Sequence, residues 1–297
     1  MIETVLTPDL LAATLRVGTP ILLVALGAAI TLKAGIFNIA VEGMMLLAAF
    51  LGVVLSSQFE NIYIGALLTI LLTVGYALVY GLITITLKAD QIIAGLGLNM
   101  FASGLTAWLL QSVLNAPGGY TTPTTPRIPV LSIGFLDQVP VLGTIVNHQH
   151  AIVYLSWLLA GVAYLFVHRS KFGLRLRATG EHPLAAATVG INVVQWQYLS
   201  LVLCGVLCAL AGISLSLASL GLFTKGMTAG RGFIAFAAAS FATGNIPGTA
   251  LISLLFALCS SLAIRLEGFG IPTRFVQMIP YLVTFIALIF ARRKQPE

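Results

Sequence analysis

Three short polar stretches could do chemistry in this chain, and each sits among apolar residues. Lys33-Ala-Gly-Ile-Phe-Asn-Ile-Ala-Val-Glu-Gly43 sets Asn38 and Glu42 between two glycines, directly before an apolar run. One chemistry for that pattern is a helix broken inside a membrane, whose exposed backbone and polar side chains line a solute pathway. The other is a cap, with Asn38 bonding the first free N–H groups of the next helix and Glu42 near its positive end. The two are compatible. In Gln91-Ile-Ile-Ala-Gly-Leu-Gly-Leu-Asn99 the amides are eight residues apart, about 12 Å along a helix. Asn99 at that depth either binds solute or bonds a neighbouring helix, the commoner use of a lone Asn. Gly221 to Ala235 adds glycines that permit sharp turns, together with Phe223, Lys225 and Arg231. Asn38, Glu42, Asn99 and Phe223 are the candidate pathway residues.

Other reactive types are poorly placed for catalysis or metal binding. His148-Gln-His150 has no third ligand nearby and reads as a wet helix entrance. Cys204 and Cys208 share a helix face with no His or acid between them, and Cys259 makes an odd number. They read as packing residues rather than a disulfide framework. No metal, cofactor or catalytic residue is expected, and no G-x-x-x-x-G-K-[ST] nucleotide loop occurs.

The elements that position these residues follow from composition. Of 297 residues, 59% are apolar and 8% charged, whereas an ordinary soluble domain carries about 25% charged residues. A water-facing surface cannot be built from that set, which excludes a soluble enzyme or a nucleic-acid binder. The chain is predicted to be an all-α polytopic membrane protein, a single transmembrane domain over 1–297. Glu3 and Asp9, with no basic residue before Arg16, are the wrong charges for a signal peptide. Charge-free stretches give the spans: 16–33, 42–60, 61–87, 91–110, 150–167, 196–220 and 275–291. Between them, 232–264 is interrupted by Thr243-Gly-Asn-Ile-Pro-Gly248. Its first part, Gly232 to Ala242, is too short to span and reads as a broken or re-entrant element paired with 249–264.

Orientation follows from the cations. Arg169, Lys171, Arg175 and Arg177 share one loop, and Arg292, Arg293 and Lys294 end the chain. Both segments are expected in the cytoplasm, giving about nine crossings, N-out and C-in. The connection at about 111–149, rich in Pro, Gly and Thr, then lies outside. Weakly, Gly35-Ile-Phe-Asn-Ile-Ala and Gly230-Arg-Gly-Phe-Ile-Ala look alike and enter from opposite sides, as an inverted repeat would.

The most specific stretch is Phe172-Gly-Leu-Arg-Leu-Arg-Ala-Thr-Gly-Glu-His-Pro-Leu-Ala-Ala-Ala-Thr-Val-Gly-Ile-Asn192. Pro183 can open a short helix, Ala185 to Ala187 favour it, and Gly190 can end it. The ordered punctuation favours docking to a partner over a solvated loop. It resembles the loop by which permease subunits of ABC importers contact their ATPase, with Glu181, Ala185, Ala186 and Gly190 in a Glu-Ala-Ala…Gly pattern. The Glu-His-Pro-Leu-Ala-Ala wording is looser than that pattern. With Gly35 to Gly43, Asn99, Gly230 to Ala235 and Met278-Ile-Pro-Tyr281, the chain is similar to the branched-chain amino acid/simple sugar permease superfamily, most to its nucleoside and simple-sugar permeases. Ribose-type members have an additional N-terminal span, which this sequence starts without.

The resemblance implies a half-channel in a prokaryotic-type inner or plasma membrane. It implies a second permease (a probable heterodimer), an ATP-binding cassette ATPase, an external solute-binding protein, and no nucleic acid. The docking loop would cover about 168–195, with Arg175, Arg177, Glu181, Ala185, Ala186 and Gly190 as contact residues. The alternatives are an ion-coupled secondary transporter using Glu42, or an ABC permease for another small solute such as branched-chain amino acids.

Overall fold

The computed structural model describes residues 8–123, 125–132 and 140–267. The expected span at 275–291 and the Met278-Ile-Pro-Tyr281 motif lie outside these residues. In chain order the helices are α1 (Pro8–Lys33), α2 (Val41–Gln58), α3 (Ile62–Gly81), α4 (Gln91–Ser112), α5 (Pro140–Val146), α6 (Ala151–Tyr164), α7 (Lys171–Glu181), α8 (Pro183–Thr188), α9 (Val193–Ile213), α10 (Arg231–Phe241) and α11 (Ile246–Glu267). Three of them run on into π-helical turns: α3 into Leu82–Thr86, α6 into Leu165–Arg169 and α9 into Ser214–Leu220.

Among the described residues seven helices are long and apolar enough to cross a membrane: α1, α2, α3, α4, α6, α9 and α11. With α10 they account for every expected span that the described residues cover. α10 has 11 residues, about 16 Å of helix, which is half the thickness of a hydrocarbon core. It is the short element expected at Gly232 to Ala242.

Helix starts are fixed by side chains at the connections. Asn61 accepts from the Tyr63 N–H at 2.9 Å, Asp90 from Ile92 and Ile93 at 2.9 Å, Ser170 from Gly173 at 2.9 Å and Asn192 from Gln195 at 3.2 Å. Each cap satisfies N–H groups that have no partner inside the helix. Hydroxyls within the spans donate back to carbonyls four residues earlier, as Thr14 to Leu10, Thr69 to Gly65 and Ser253 to Thr249 do. A buried hydroxyl is satisfied without a partner helix in that way.

α1 and α9 pack against each other at the centre. Leu23 and Leu26 of α1, Met44 and Met45 of α2, and Leu201 and Cys204 of α9 are all fully buried there. Around this pair the packing repeats: α1 holds α10 and α11 as α9 holds α2 and α3. The close approaches repeat too. A Cβ added to Gly18 of α1 would lie 2.8 Å from the Ala257 Cβ on α11, and one on Gly205 of α9 would lie 3.1 Å from the Ala77 Cβ on α3. Each central helix thus packs on two helices of the other half, α1 on α10 and α11, and α9 on α2 and α3.

Small residues set these spacings, and the apolar effect between helices is weak in lipid. Gly212 of α9 is a tight site of this kind against α2, where a Cβ would sit 2.6 Å from both the Met45 carbonyl oxygen and the Ala49 nitrogen. Gly97 and Gly104 of α4 have nothing within 4 Å of an added Cβ. Gly212→Ala is expected to lower stability by about 1–3 kcal/mol through overpacking, while Gly97→Ala leaves it unchanged or gains up to about 1 kcal/mol of helix propensity. Thermal unfolding of the detergent-solubilised protein distinguishes them.

Candidate functional site

Two interruptions of the helical backbone meet inside the bundle. The first, residues 34–40, separates α1 from α2. The second, residues 221–230, separates the π turn after α9 from α10. Each turns on a glycine in the left-handed region, Gly35 at φ 80° and Gly230 at φ 78°, a conformation other residues rarely adopt.

Non-helical backbone at membrane depth must find partners for its N–H and C=O groups, and the first break finds them on three helices. Ile36 N–H donates to the Thr31 carbonyl at 2.9 Å. Phe37 N–H donates to Gln91 Oε1 at 2.7 Å, while the Phe37 carbonyl accepts from the Tyr80 hydroxyl at 3.0 Å. Asn99 closes the break with both ends of its amide. Its Nδ2 donates to the Ile39 carbonyl at 3.0 Å, and its Oδ1 accepts from the Gly43 N–H at 2.7 Å. Asn38 is fully buried. Its Oδ1 accepts from Ala40 N–H at 3.1 Å, and its Nδ2 points at Cys204 Sγ (3.5 Å) and Met44 Sδ (3.9 Å).

The second break is fastened by the first. Glu42 Oε1 accepts from the Gly230 N–H at 3.0 Å and Oε2 from the Gly232 N–H at 2.6 Å. A carboxylate on two N–H groups at the start of α10 also lies at the positive end of that helix. Such charge-assisted bonds contribute about 1.5–3 kcal/mol each. Gly232 permits the approach, since a Cβ there would lie 2.6 Å from Glu42 Cα. Farther along, residues Phe223–Thr224 form a two-residue ladder with Gly119–Tyr120, and the Gly221 carbonyl accepts from the Thr121 hydroxyl at 3.0 Å. Phe223 is fully buried, edge-on to Phe50 with centroids 5.2 Å apart.

The structure thus brings Asn38, Glu42 and Asn99 together at the junction of the two breaks and sets Phe223 apart against Phe50. The capping pattern differs from the one read in sequence. The start of α2 is served by Asn99 rather than Asn38, whose oxygen is taken by its own turn. Glu42 lies in the first turn of its own helix, as expected, and in addition serves α10, to whose Gly230 and Gly232 N–H groups its side chain reaches. Tyr80, buried on α3, was not singled out in the sequence. A tyrosine inside an apolar span, whose hydroxyl needs a partner, was the available signal.

A second cluster lies at the far end of α1. The short helix expected at Pro183 is present as α8, and Gly190 ends it at φ 81° with its N–H on the Ala187 carbonyl at 3.0 Å. Before it, α7 is a full helix where a loop was expected, because Gly173, Leu176 and Thr179 form a buried face. Arg175, Glu181, Ala185 and Gly190 are exposed, Ala186 is buried, and Arg177 Nε is buried with no hydrogen-bond partner among the described residues. Leu184 and Val189 stand 85% and 75% exposed. A groove of about 520 Å³ between them and α9 is lined by Arg175, Gly190, Asn192, Gln195 and Trp196. On the other side of the fold, Arg16 and Arg231 share a cavity of about 280 Å³ with Thr224 and Met227. His150 Nδ1 lies 3.2 Å from the Ile128 carbonyl, in a loop ladder.

The geometry at the breaks orders three variants. Glu42→Ala leaves the Gly230 and Gly232 N–H groups unpaired, at about 1–3 kcal/mol each. Glu42→Gln keeps one acceptor oxygen and falls between it and the native chain. Folded yield and thermal midpoint should rank native, Gln, Ala, and equal values for all three would remove Glu42 from this role.

A family model described as "Branched-chain amino acid transport system / permease component" matches residues 10–288. The nucleoside ABC transporter permease protein NupC of Lactococcus lactis subsp. cremoris is 34% identical over 285 residues, 91% of this chain and 88% of that protein. A putative glucose ABC transporter permease protein of Haloferax volcanii is 34% identical over 267 residues, 88% and 79% of the two chains. Two guanosine ABC transporter permease proteins of Bacillus subtilis also match: NupQ, 32% identical over 93% of this chain and 89% of its own, and NupP, 26% identical over 95% and 77%. No solved structure matches significantly. With the family model spanning nearly its whole length and apolar helices throughout, this chain belongs to the branched-chain amino acid transport system permease family, as a multi-pass membrane transport component.

Proposed function

We propose that this chain forms half of the translocation pathway of an ABC importer for a nucleoside or related simple sugar, driven by a separate ATPase. The observation that carries the solute class is the likeness, over about nine-tenths of the chain, to permeases named for nucleosides, guanosine and glucose. Such solutes are neutral and rich in hydroxyls, so their path needs hydrogen-bonding groups without a trapped charge. The junction suits that need. Asn38, Glu42 and Asn99 hold the two backbone breaks in place along the path, and Phe223 supports its wall. Glu42 has both oxygens on backbone N–H groups, which speaks against the ion-coupled alternative that needs those oxygens for an ion.

The second permease is a related chain, a reading supported by two distinct Bacillus subtilis relatives that share the name guanosine permease. The segment 168–195 docks the ATPase, offering Arg175, Arg177, Glu181, Ala185 and Gly190 beside the exposed Leu184 and Val189, with the buried Ala186 packing α8 from beneath. The segment 111–149 faces the external solute-binding protein. The chain crosses a prokaryotic inner or plasma membrane nine times, N-out and C-in, as the cation distribution supports.

Uptake by the reconstituted complex across a panel of nucleosides, sugars and branched-chain amino acids tests the function. ATP-dependent nucleoside or sugar uptake is expected. Uptake that survives without the ATPase but collapses with a proton ionophore would overturn it. Leu184→Asp, on a side chain that makes little contact within the chain, should lower co-purification of the ATPase at least about tenfold, the effect of losing one buried apolar contact of about 1.5 kcal/mol. For sidedness, a cysteine at Pro123 should react with an impermeant maleimide on intact cells, and one at Leu184 only after permeabilisation. Native cysteines are removed first. The opposite pattern would reverse the topology.

A further inference from the structure

The end of α7 touches the first backbone break directly, without a side chain between them. A Cβ on Gly35 would lie 3.2 Å from Gly180 Cα, and one on Gly180 would lie 2.8 Å from the Gly35 nitrogen and collide with the Lys33 carbonyl oxygen. Leu176 and Thr179 of α7 are both buried, and α7 packs against α1. From Gly35 the chain enters a segment whose backbone is tied at Phe37, Ile39, Ala40 and Gly43. Within it, Glu42 holds the Gly230 and Gly232 N–H groups. The α10–α11 turn at the same end also meets α1, where a Cβ on Gly244 would lie 3.1 Å from the Ala29 carbonyl oxygen and 3.2 Å from Lys33 Cγ.

We infer that Gly180 is a positioning residue for transport: its backbone contact with Gly35 passes displacement of the α7–α8 pair into the 35–43 segment, and Glu42 passes it on to the start of α10. The inference rests on the reading of 168–195 as the ATPase dock. Three features make the connection stiff. Backbone presses on backbone at the Gly180–Gly35 contact, so no rotamer change can absorb a shift there. The 35–43 segment moves as one piece because its N–H and C=O groups are pinned from α3 and α4. Glu42 reaches α10 by two hydrogen bonds rather than one, which fixes direction as well as distance. α10, being half a span long and flanked by glycines in the left-handed region, is the element free to respond. Coupling of this kind needs an element that both ends can bias, and that part is assigned to α10, held by Glu42 at its start and turned at Gly244 after its end.

The test uses the full complex in proteoliposomes and reads ATP hydrolysed per radiolabelled guanosine imported, a ratio that a mere loss of folded protein does not move. Gly180→Ala should insert and retain the ATPase, yet raise that ratio at least about fivefold, the lower end of ordinary coupling between sites. Gly97→Ala should leave it at the native value. Glu42→Gln should raise the ratio too, and the double variant should be no worse than the stronger single one, since both act on one connection. A native ratio in Gly180→Ala, or effects that multiply, overturns the inference. Should Gly180→Ala fail to insert, hydrogen exchange on the native complex decides. A non-hydrolysable ATP analogue should change exchange in 33–43 and at Gly230 and Gly232 together, and unchanged exchange at either place overturns the inference. Failure of the native ATPase to co-purify would instead sink the docking reading on which it rests.

Discussion

The carboxylate of Glu42 joins the two backbone breaks of this membrane protein. Wherever a helix breaks inside an apolar bundle, the freed N–H groups must be paired, and at Gly230 and Gly232 the partner is Glu42. Glu42 is itself placed by the first break, so one interruption of the helical ladder satisfies the other. The arrangement explains why both breaks are built from glycine. Gly35 and Gly230 supply the left-handed turns, and Gly232 clears room for the carboxylate. The amide of Asn99 plays the matching part for the start of α2, accepting from one side of the break and donating to the other.

The rest of the packing keeps this junction in register. α1 and α9 cross at the centre, and each holds the broken pair of the opposite half. Glycine and alanine at the crossings let backbones approach to van der Waals distance, which compensates for the weak apolar drive between helices in lipid. The outer helices α3 and α4 contribute polar groups inward, Tyr80, Gln91 and Asn99, while much of their other surface is exposed apolar side chain. That surface is what a bilayer requires.

The spans were readable in the sequence because the bilayer imposes a length on every charge-free run, and the shortness of α10 was readable for the same reason. That Asn38, Glu42 and Asn99 need polar partners was readable from their depth. Their partners were not. Glu42 bonds backbone N–H groups, which leave no signature beyond the glycines that expose them. α7 was missed as a helix because two of the positions on its buried face are Gly173 and Thr179, too small and polar to register as an apolar stripe. Phe223 suggested a pathway by its neighbours, yet it packs on Phe50, a contact between residues with no sequence relation.

The span of chain between Glu42 and its partners sets a condition on how the protein is made. The bonds to Gly230 and Gly232 bridge 188 and 190 residues. At synthesis rates of ~5–20 residues per second, about 10–40 seconds separate the emergence of the carboxylate from that of the amides that will hold it. During that interval the first four helices have entered the bilayer with a charged group at an unfinished break. Water or the insertion machinery must solvate Glu42 until the second half arrives. The N-terminal half is therefore a waiting intermediate, completed only by the last third of its own chain.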